Sequence, residues 1–450
     1  MSDPIEGLFT TSEMAAIFSA EAHVRALLAF EAALARAEAQ AGVIPAEAAA
    51  AIAASCRVEL FDVAALYREA ALAGTPAIPL VRALTGQVAP EARQFVHWGA
   101  TSQDAIDTAM VLQMRAGIDA LVAGLLRVGA GCAALALQHR RTPMAGRTLL
   151  QQALPITFGL KAARWLGLAT RQVRALRACR ERSLALQLGG AAGTLAALDE
   201  AGLSVAELLA AELQLPLPEL PWHAERDRVA TIAAVLGVVA GAMAKIAADI
   251  ALLAQTEVAE AAEAAAPGKG GSSAMPQKHN PVDAVGALAA ARLALGLVPV
   301  VLSAMAQEHE RAVGGWQAEW AAIPALFRYT AGTVDRVCRA VLGLQVDPDR
   351  MRANLAHQGG LLMAEALTMA LAPQLGRLEA QRVVRAACER ALAAGSTLHQ
   401  AALADETIRA ALPAEAIERA LDPMAYLGSA DALIDRALAA YRQVAEGHEP

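Results

Sequence analysis

Long stretches of unbroken helical sequence constrain the fold of this chain most. They run from Ser102 to about His139, from Pro155 to about Gln187, from Ala224 to about Ala265 and from Pro281 to about Glu310. A helix of ~35 residues is over ~50 Å long at ~1.5 Å per residue, which outgrows a compact monomer. Helices of this length usually bury their apolar stripes in a bundle of several chains. The sequence therefore predicts an all-α fold built on such a bundle.

Three glycines lie seven residues apart in the first of these helices, at Gly117, Gly124 and Gly131. Each glycine costs ~1 kcal/mol relative to alanine inside a helix, so the regular spacing suggests a structural reason. A heptad places the three on one stripe, where small residues let a neighbouring helix come close. We expect a second helix to pack along this stripe.

The composition agrees with closely packed helices. Hydrophobic residues make up 56% of the 450 residues and aromatic ones only 4%, so the apolar content is mainly Ala, Leu and Val. The net charge of −7 and the absence of a Lys/Arg tract argue against nucleic acid as a partner. Five dispersed cysteines without a CxxC pair argue against a disulfide framework or a zinc site and fit a reducing cytoplasm.

A membrane location is not expected. The first residues have neither a basic nor an apolar signal region. The most apolar run, Val229 to Ala244, is shorter than the ~20 residues that a membrane span needs, and Lys245 and Asp249 follow it. We expect this run to be a buried helix in the core of an oligomer.

The order of short and long helices predicts three helical domains. Residues 1–105 form an N-terminal domain, 106–345 the central long-helix bundle and 346–450 a small C-terminal domain. Breaks at Asp347-Pro348 and Gly359-Gly360 indicate the short helices of the last domain.

The stretch from Gly268 to Pro281 gathers glycines, serines, a lysine, a histidine and an asparagine in one place. Gly268, Gly270 and Gly271 allow positive φ angles and a close approach of the backbone to a ligand. Asn280 before Pro281 predicts a helix start, with Asn as the N-cap and Pro at the first helical position. Because a helix N-terminus favours anions, we expect a mobile loop with polar chemistry that faces an anion.

The stretch from His97 to Asp104 predicts the start of the first long helix, with Thr101 or Ser102 as its cap and Asp104 in its first turn. A capped N-terminus with two hydroxyl groups also suits a carboxylate ligand. A lone histidine is more often structural than catalytic, and only its place beside this motif makes His97 a candidate.

Two arginines are candidate anion ligands. Arg147, in the stretch from Gly146 to Pro155, could bind a carboxylate in a bidentate manner, or it could be a solvated surface arginine. Arg311 lies beside a Gly-Gly break, in a stretch where Trp316 and Trp320, four residues apart, are expected to pack. The chain contains no GxGxxG, Walker or HExxH pattern, so we expect neither a nucleotide cofactor nor a metal.

Residues 271–281 read Gly-Ser-Ser-Ala-Met-Pro-Gln-Lys-His-Asn-Pro. They match every fixed position of Gly-Ser-Ser-x-Met-Pro-x-Lys-x-Asn-Pro, so the chain resembles the fumarase/aspartase superfamily. Thr101-Ser102-x-Asp104 and Gly146-Arg147-Thr148 look like the superfamily's other two active-site segments, in the expected order. The resemblance covers nearly the whole chain. It implies an α-helical homotetramer with active sites built from segments of three subunits.

The resemblance also implies roles for individual residues. Ser272 matches the catalytic serine, and Lys278 and Asn280 match the carboxylate-binding and charge-stabilising positions. Substrate contacts are implied for Thr101, Ser102 and Gln151, beside the arginine candidates Arg147 and Arg311. The expected partner is a small polycarboxylate, without a cofactor.

One departure narrows the expected reaction. Adenylosuccinate and argininosuccinate lyases carry a histidine after the Thr of the second segment, whereas this chain has Leu149. Replacing a general acid by an apolar residue removes a contribution of ~10²–10⁴ in rate. A lyase that must protonate a nitrogen leaving group would be impaired.

The segments Pro76–Leu80, Phe95–Thr108 and Gln307–Trp320 are similar to the lactonising branch of the superfamily, which lacks that histidine. This likeness implies a cycloisomerase of protocatechuate (β-ketoadipate) breakdown that adds a carboxylate of 3-carboxy-cis,cis-muconate across a double bond. One proton must then reach the adjacent carbon, with Ser272, Lys278 and His97 as the candidate donors. An adenylosuccinate-lyase-like β-elimination enzyme and an inactive helical scaffold are the alternatives.

Overall fold

The computed structural model describes residues 4–447, and these form eighteen α-helices and four short strands. The helices are α1 Ser12–Ile17, α2 Ala20–Gln40, α3 Ala46–Ser55, α4 Val63–Ala73, α5 Ala77–Gln87, α6 Ser102–Gln138, α7 Phe158–Ser183, α8 Gly202–Leu213, α9 Asp227–Leu253, α10 Val282–Ser303, α11 Gly315–Leu342, α12 Pro348–Ala356, α13 Ala364–Leu375, α14 Arg377–Ala394, α15 Leu398–Ala404, α16 Glu406–Ala411, α17 Ala414–Ala420 and α18 Ala430–Ala445. The predicted all-α fold class is confirmed.

The strands form two antiparallel pairs in the described part of the chain, and the sequence did not predict them. Strand β1, Pro143–Thr148, pairs with β2, Gln151–Thr157, and β3, Ala261–Glu263, pairs with β4, Leu344–Val346. The first pair explains why the helix expected from Pro155 begins only at Phe158. Residues 151–157 satisfy their backbone hydrogen bonds across the hairpin instead of along a helix.

The bounds of the long helices follow the sequence pattern in part. Helix α6 covers the expected stretch almost to the residue. The helix expected over 224–265 ends at Leu253, because the chain turns there and Ala259 takes a positive φ of 49° before strand β3. The helix expected to reach Glu310 ends at Ser303. A further long helix, α11, was missed.

The glycine stripe of α6 packs as expected. A Cβ atom at Gly117 would lie 2.7 Å from the Phe327 ring, and one at Gly124 would lie 2.9 Å from Val334. At Gly131 the same test gives 2.9 Å to Val341. The three opposing residues belong to α11 and are themselves seven residues apart. The glycines of α6 therefore face a row of larger α11 side chains with the same seven-residue spacing. Only glycine permits the two helices to approach so closely.

The chain divides into two compact units. The first unit comprises residues 4–124, 172–244 and 286–335. In its core, α2 packs against α3 and α8 and buries Leu27, Leu28, Phe30 and Leu34 almost completely. Full burial of such a side chain contributes ~1.5–3 kcal/mol.

The second unit comprises residues 125–171, 245–285 and 336–447. Its C-terminal part has a core of its own, formed by apolar residues of α13 to α17 such as Leu367, Val384, Leu398, Ile408 and Ile417. Both units are assembled from separate stretches of sequence. The division into three domains at residues 105 and 345 stays a prediction.

Three helices are long and apolar enough to cross a membrane by length and composition alone: α6, α9 and α10. In α6 and α9, 50% and 56% of the most apolar window is buried within the chain, but in α10 only 28%. Helix α10 leaves Val285, Leu293, Leu295, Val300 and Leu302 exposed. This exposed apolar face of α10 lacks a covering element in the described part of the chain.

Candidate active site

The start of helix α6 forms the first part of the candidate site. The carbonyl oxygen of Thr101 accepts hydrogen bonds from the N–H groups of Asp104, at 3.0 Å, and Ala105, at 3.5 Å. The N–H of Thr101 in turn donates to the Asp104 carboxylate at 2.9 Å. Of the two predicted caps, Thr101 is the N-cap residue, and Ser102 is the first residue of the helix.

Arg311 reaches this helix start from a distant part of the chain. Its Nη1 donates to Thr101 Oγ1 at 3.2 Å and its Nη2 to the carbonyl oxygen of Ala191 at 3.0 Å. Within the described residues, its Nε is buried and has no hydrogen-bond partner. A guanidinium with an unused N–H beside a helix N-terminus can bind a carboxylate.

Asp104 is buried completely and holds this region together. Its carboxylate accepts hydrogen bonds from His223 Nε2 at 2.7 Å and from the N–H groups of Gly189 and Gly190 at 2.9 Å. The sequence indicated Asp104 only as a first-turn acid. No local signal in the sequence pointed to this network.

His97 lies just before the capped helix, in a left-handed conformation with φ of 59°. Its Nδ1 is 2.7 Å from Oε1 of Glu31, a carboxylate that is only 1% exposed. Burial by itself lowers the pKa of His97, but the charges of Glu31 and Asp104 and the Glu31 hydrogen bond outweigh it and raise the pKa. Glu31 therefore orients His97 and favours its protonated form.

Arg147 binds a carboxylate of its own chain. Its Nη1 and Nη2 contact Oε2 and Oε1 of Glu260 at 2.8 and 2.6 Å in a bidentate pair, and Glu260 is fully buried. Asn354 Nδ2 donates to the same carboxylate at 2.8 Å. The alternative of a solvated surface arginine is therefore wrong. A direct substrate contact of Arg147 stays a prediction.

Gln151 opens strand β2 and is exposed, directly after the turn of the hairpin. That turn consists of Leu149 and Leu150, which take positive φ angles of 50° and 64° and are 96% and 73% exposed. Two leucines in the left-handed region are unusual, since glycine and asparagine normally occupy such positions. The hairpin thus presents two exposed apolar side chains, and no ionisable one, at its turn.

We call the loop from Gly268 to Pro281 the signature loop. It carries Ser272, which is half-buried, and Lys278, which is exposed. The Ser272 hydroxyl oxygen accepts hydrogen bonds from the N–H groups of Ala274 at 3.4 Å and Met275 at 3.2 Å. The Asn280 side chain donates to the carbonyl oxygen of Gly270 at 3.2 Å.

The predicted N-cap role of Asn280 is wrong. Helix α10 begins at Val282, and the N–H groups of Asp283 and Ala284 donate to the Glu263 carboxylate at 3.1 and 2.8 Å. Strand β3 ends at Glu263 and brings this carboxylate to the helix end, so the Asn280 side chain is free to close the loop.

The candidate residues fall into two sets. His97, Thr101, Ser102 and Arg311 belong to the first unit, and Arg147, Gln151, Ser272, Lys278 and Asn280 to the second. The predicted packing of the two tryptophans is confirmed, since the rings of Trp316 and Trp320 meet edge to face at 4.8 Å. Among residues 4–447, no group of three or more His, Cys, Asp or Glu could hold a metal ion.

Comparison with known proteins places the chain in a family. Residues 3–295 match the family described as Lyase, and residues 360–437 match the family described as Adenylosuccinate lyase C-terminus. The 3-carboxy-cis,cis-muconate cycloisomerase of Bradyrhizobium diazoefficiens is 49% identical over 97% of this chain and 98% of its own length. The enzyme of the same name from Pseudomonas aeruginosa is 48% identical over 99% of this chain and 97% of its own length.

A solved structure agrees with these relatives. The 3-carboxy-cis,cis-muconate lactonizing enzyme from Pseudomonas putida superimposes with a TM-score of 0.93 at 43% identity, over 98% of this chain and 99% of that one. The chain belongs to the fumarase/aspartase superfamily, in the family that contains the 3-carboxy-cis,cis-muconate cycloisomerases.

Proposed function

We propose that this protein is a cycloisomerase that converts 3-carboxy-cis,cis-muconate to 4-carboxymuconolactone in protocatechuate breakdown. The observation that carries the proposal is the hairpin turn at Leu149, which offers no ionisable side chain where the related lyases have a general acid. Lactonisation does not need that acid. The attacking carboxylate belongs to the substrate, so no amine leaves and only one carbon has to be protonated.

The candidate residues suit a substrate with several carboxylates. Thr101 and Arg311 form a donor pair at the N-terminus of α6, with Ser102 as the next residue. The proposed contacts for the other carboxylates are Lys278 and Asn280 of the signature loop and Arg147 and Gln151 of the hairpin. Holding one carboxylate near its target carbon favours the intramolecular attack, because the entropy of bringing the groups together is lost on binding.

The attack moves negative charge into another carboxylate of the substrate as an aci-type intermediate. Lys278 and the N–H groups of the glycine-rich signature loop are the proposed stabilisers of that charge. Preorganised donors act strongly where water is excluded, so closure of the loop is part of the mechanism.

Ser272 is the proposed proton donor. Its oxygen accepts two backbone N–H groups, so its own hydrogen is available for donation. The same two hydrogen bonds stabilise the alkoxide that remains after the proton leaves. A free serine is a poor acid near neutral pH, so Ser272 also needs the positive charge of Lys278 nearby. Lys278 and His97 are the competing donors.

We further infer a cytoplasmic homotetramer with active sites shared between subunits. The support is the exposed apolar face of α10, which a second copy of this helix bundle would cover. Light scattering on a size-exclusion column measures the mass directly. A tetramer of 46.5 kDa chains supports the inference, and a monomer contradicts it.

An ultraviolet assay tests the activity. Lactone formation removes the conjugated diene of 3-carboxymuconate, so the absorbance of the diene falls as the enzyme acts. Adenylosuccinate is the matched control substrate, because residues 360–437 match a family named after its lyase. Turnover of the muconate alone supports the proposal. Cleavage of adenylosuccinate, or turnover of neither substrate, would support the lyase or the inactive scaffold instead.

A further inference from the structure

The signature loop is closed where Lys269 and Gly270 at its start meet Asn280 near its end, and we call this closure the loop root. The Lys269 side chain binds two buried carboxylates there. Its Nζ lies 2.8 Å from Oδ2 of Asp283 and 3.2 Å from Oε2 of Glu263. The two carboxylate side chains are only 7% and 4% exposed, and that of Lys269 is 24% exposed. Burial by itself lowers the pKa of Lys269, but hydrogen bonds to Asp283 and Glu263 and their charges raise it. The lysine is therefore charged when it makes this contact.

Both carboxylates also have partners outside the loop. Glu263 accepts the first N–H groups of helix α10, as described above. Oδ1 of Asp283 contacts Arg339 Nη2 at 3.0 Å and Arg336 Nη1 at 3.7 Å. Without Lys269, the Glu263 carboxylate would still accept the helix N–H groups and the Asp283 carboxylate would still contact the two arginines. Loss of Lys269 would therefore release the loop without leaving a buried carboxylate unpaired.

A second contact closes the loop immediately after Lys269. The carbonyl oxygen of Gly270 accepts hydrogen bonds from the backbone N–H of Asn280 at 2.8 Å and from its side chain at 3.2 Å. A Cβ atom at Gly270 would lie 2.6 Å from the Asn280 carbonyl oxygen, so the backbones at the two ends of the loop are in contact here. Ser272 lies two residues after this closure, and Lys278 two residues before it.

We propose that Lys269 is a positioning residue, which fixes the root of the signature loop so that Ser272 and Lys278 reach the substrate together. Ser272 and Lys278 each lie two residues from the loop root, so any shift of the root moves both side chains. A displacement of ~1 Å at a reacting group can cost ~10² in rate, so small movements at the root matter. The kinetic part of this proposal rests on the proposed function, and the structural part does not.

The test compares three purified variants with the wild type. Lys269→Met removes the charge and keeps the length of the side chain, and Lys269→Arg restores the ion pairs. Lys245→Met is the matched control, because it also removes a lysine–carboxylate pair, that of Lys245 with Asp249 in α9. Amide hydrogen exchange is measured at Asn280, whose N–H donates to Gly270, and at Ala284, whose N–H donates to Glu263.

In Lys269→Met we expect exchange at Asn280 to become ~10-fold faster or more while Ala284 stays protected, since only the loop root opens. We also expect kcat for 3-carboxymuconate to fall ~10-fold or more with KM changed less, and Lys269→Arg to recover most of both effects.

Wild-type exchange at Asn280 in Lys269→Met would overturn the proposal, whatever the kinetics. Equal effects in Lys245→Met would overturn it as well. If the wild type does not act on the muconate, the proposed function fails, and the exchange rates still decide whether Lys269 holds the loop.

Discussion

Thr101 Oγ1 lies 3.2 Å from Nη1 of Arg311, although 210 residues separate them in the sequence. The contact brings a guanidinium to the N-terminus of α6, where the helix already favours negative charge. Asp104 makes the arrangement rigid, because it binds the N–H of Thr101 and the loop at Gly189 with the same carboxylate. This end of α6 is the proposed binding site for one carboxylate of the substrate.

The first prediction concerns Arg311. A lysine cannot contact Thr101 and Ala191 simultaneously in the geometry of the guanidinium. We expect Arg311→Lys to lower kcat/KM for 3-carboxymuconate ~10-fold or more, mainly through a higher KM. Steady-state kinetics measure the effect, and circular dichroism checks the fold. Unchanged kcat/KM would remove Arg311 from the binding site.

The second prediction concerns the pH response of His97. Glu31→Gln removes the charge that raises the pKa of His97, so this pKa should fall, as a histidine NMR titration would show. Because the folded pKa is raised, the Glu31 contact stabilises the fold fully below pH ~6.5, and this contribution is lost as the pH rises through the folded pKa. If His97 donates the proton, the alkaline limit of activity moves to lower pH in Glu31→Gln. A shift of the NMR pKa without a shift of this limit would exclude His97 as the donor.

The third prediction concerns Glu38, which is fully buried with no hydrogen-bond partner for either oxygen among residues 4–447. Burial and the charge of Glu31 raise the pKa of Glu38 to about 9. The folded state thus holds a proton that the unfolded state has lost, so stability falls as the pH rises from ~4.5 to ~9, by at most ~1.4 kcal/mol per pH unit.

Glu38→Gln removes this titration. We expect it to be more stable than the wild type at pH 8.5 by a few kcal/mol and nearly equal at pH 5.5. Urea unfolding at the two pH values measures the difference. A stability difference that is the same at both would show that Glu38 does not titrate in this range.

The fourth prediction concerns the glycine stripe. A methyl group at Gly117 would lie 2.7 Å from Phe327 and 3.2 Å from Phe18, so Gly117→Ala should destabilise the protein by ~1–3 kcal/mol. Gly86 in α5 is the control, because it is exposed and a Cβ there would meet no atom within 4 Å in the described part of the chain. Gly86→Ala should stabilise by up to ~1 kcal/mol. Thermal unfolding compares the two, and equal effects would contradict the predicted close packing.

The sequence predicted best what depends on local period and local chemistry. Helix α6, its start at Ser102 and the glycine heptad each follow from residues a few positions apart, so their spacing alone was informative. The pairing of Trp316 with Trp320 is a contact of the same local kind.

The features that could not be predicted depend on partners far away in the sequence. The carboxylate that binds the first N–H groups of α10 comes from Glu263, about twenty residues earlier, and strand β4 holds it in place. Arg147 was a candidate substrate ligand, and its bidentate partner Glu260 lies 113 residues later. The hairpin turn at Leu149 and Leu150 contradicts the usual turn residues, so no local rule could place it.

The turnover of Ser272→Ala on 3-carboxymuconate, measured beside the wild type, tests the central claim most directly. The variant removes one oxygen from the exposed signature loop, so the fold and the oligomeric mass should stay unchanged. We expect kcat to fall ~10²-fold or more, because the proposed proton donor is gone. Wild-type turnover by a correctly folded Ser272→Ala protein would contradict the account.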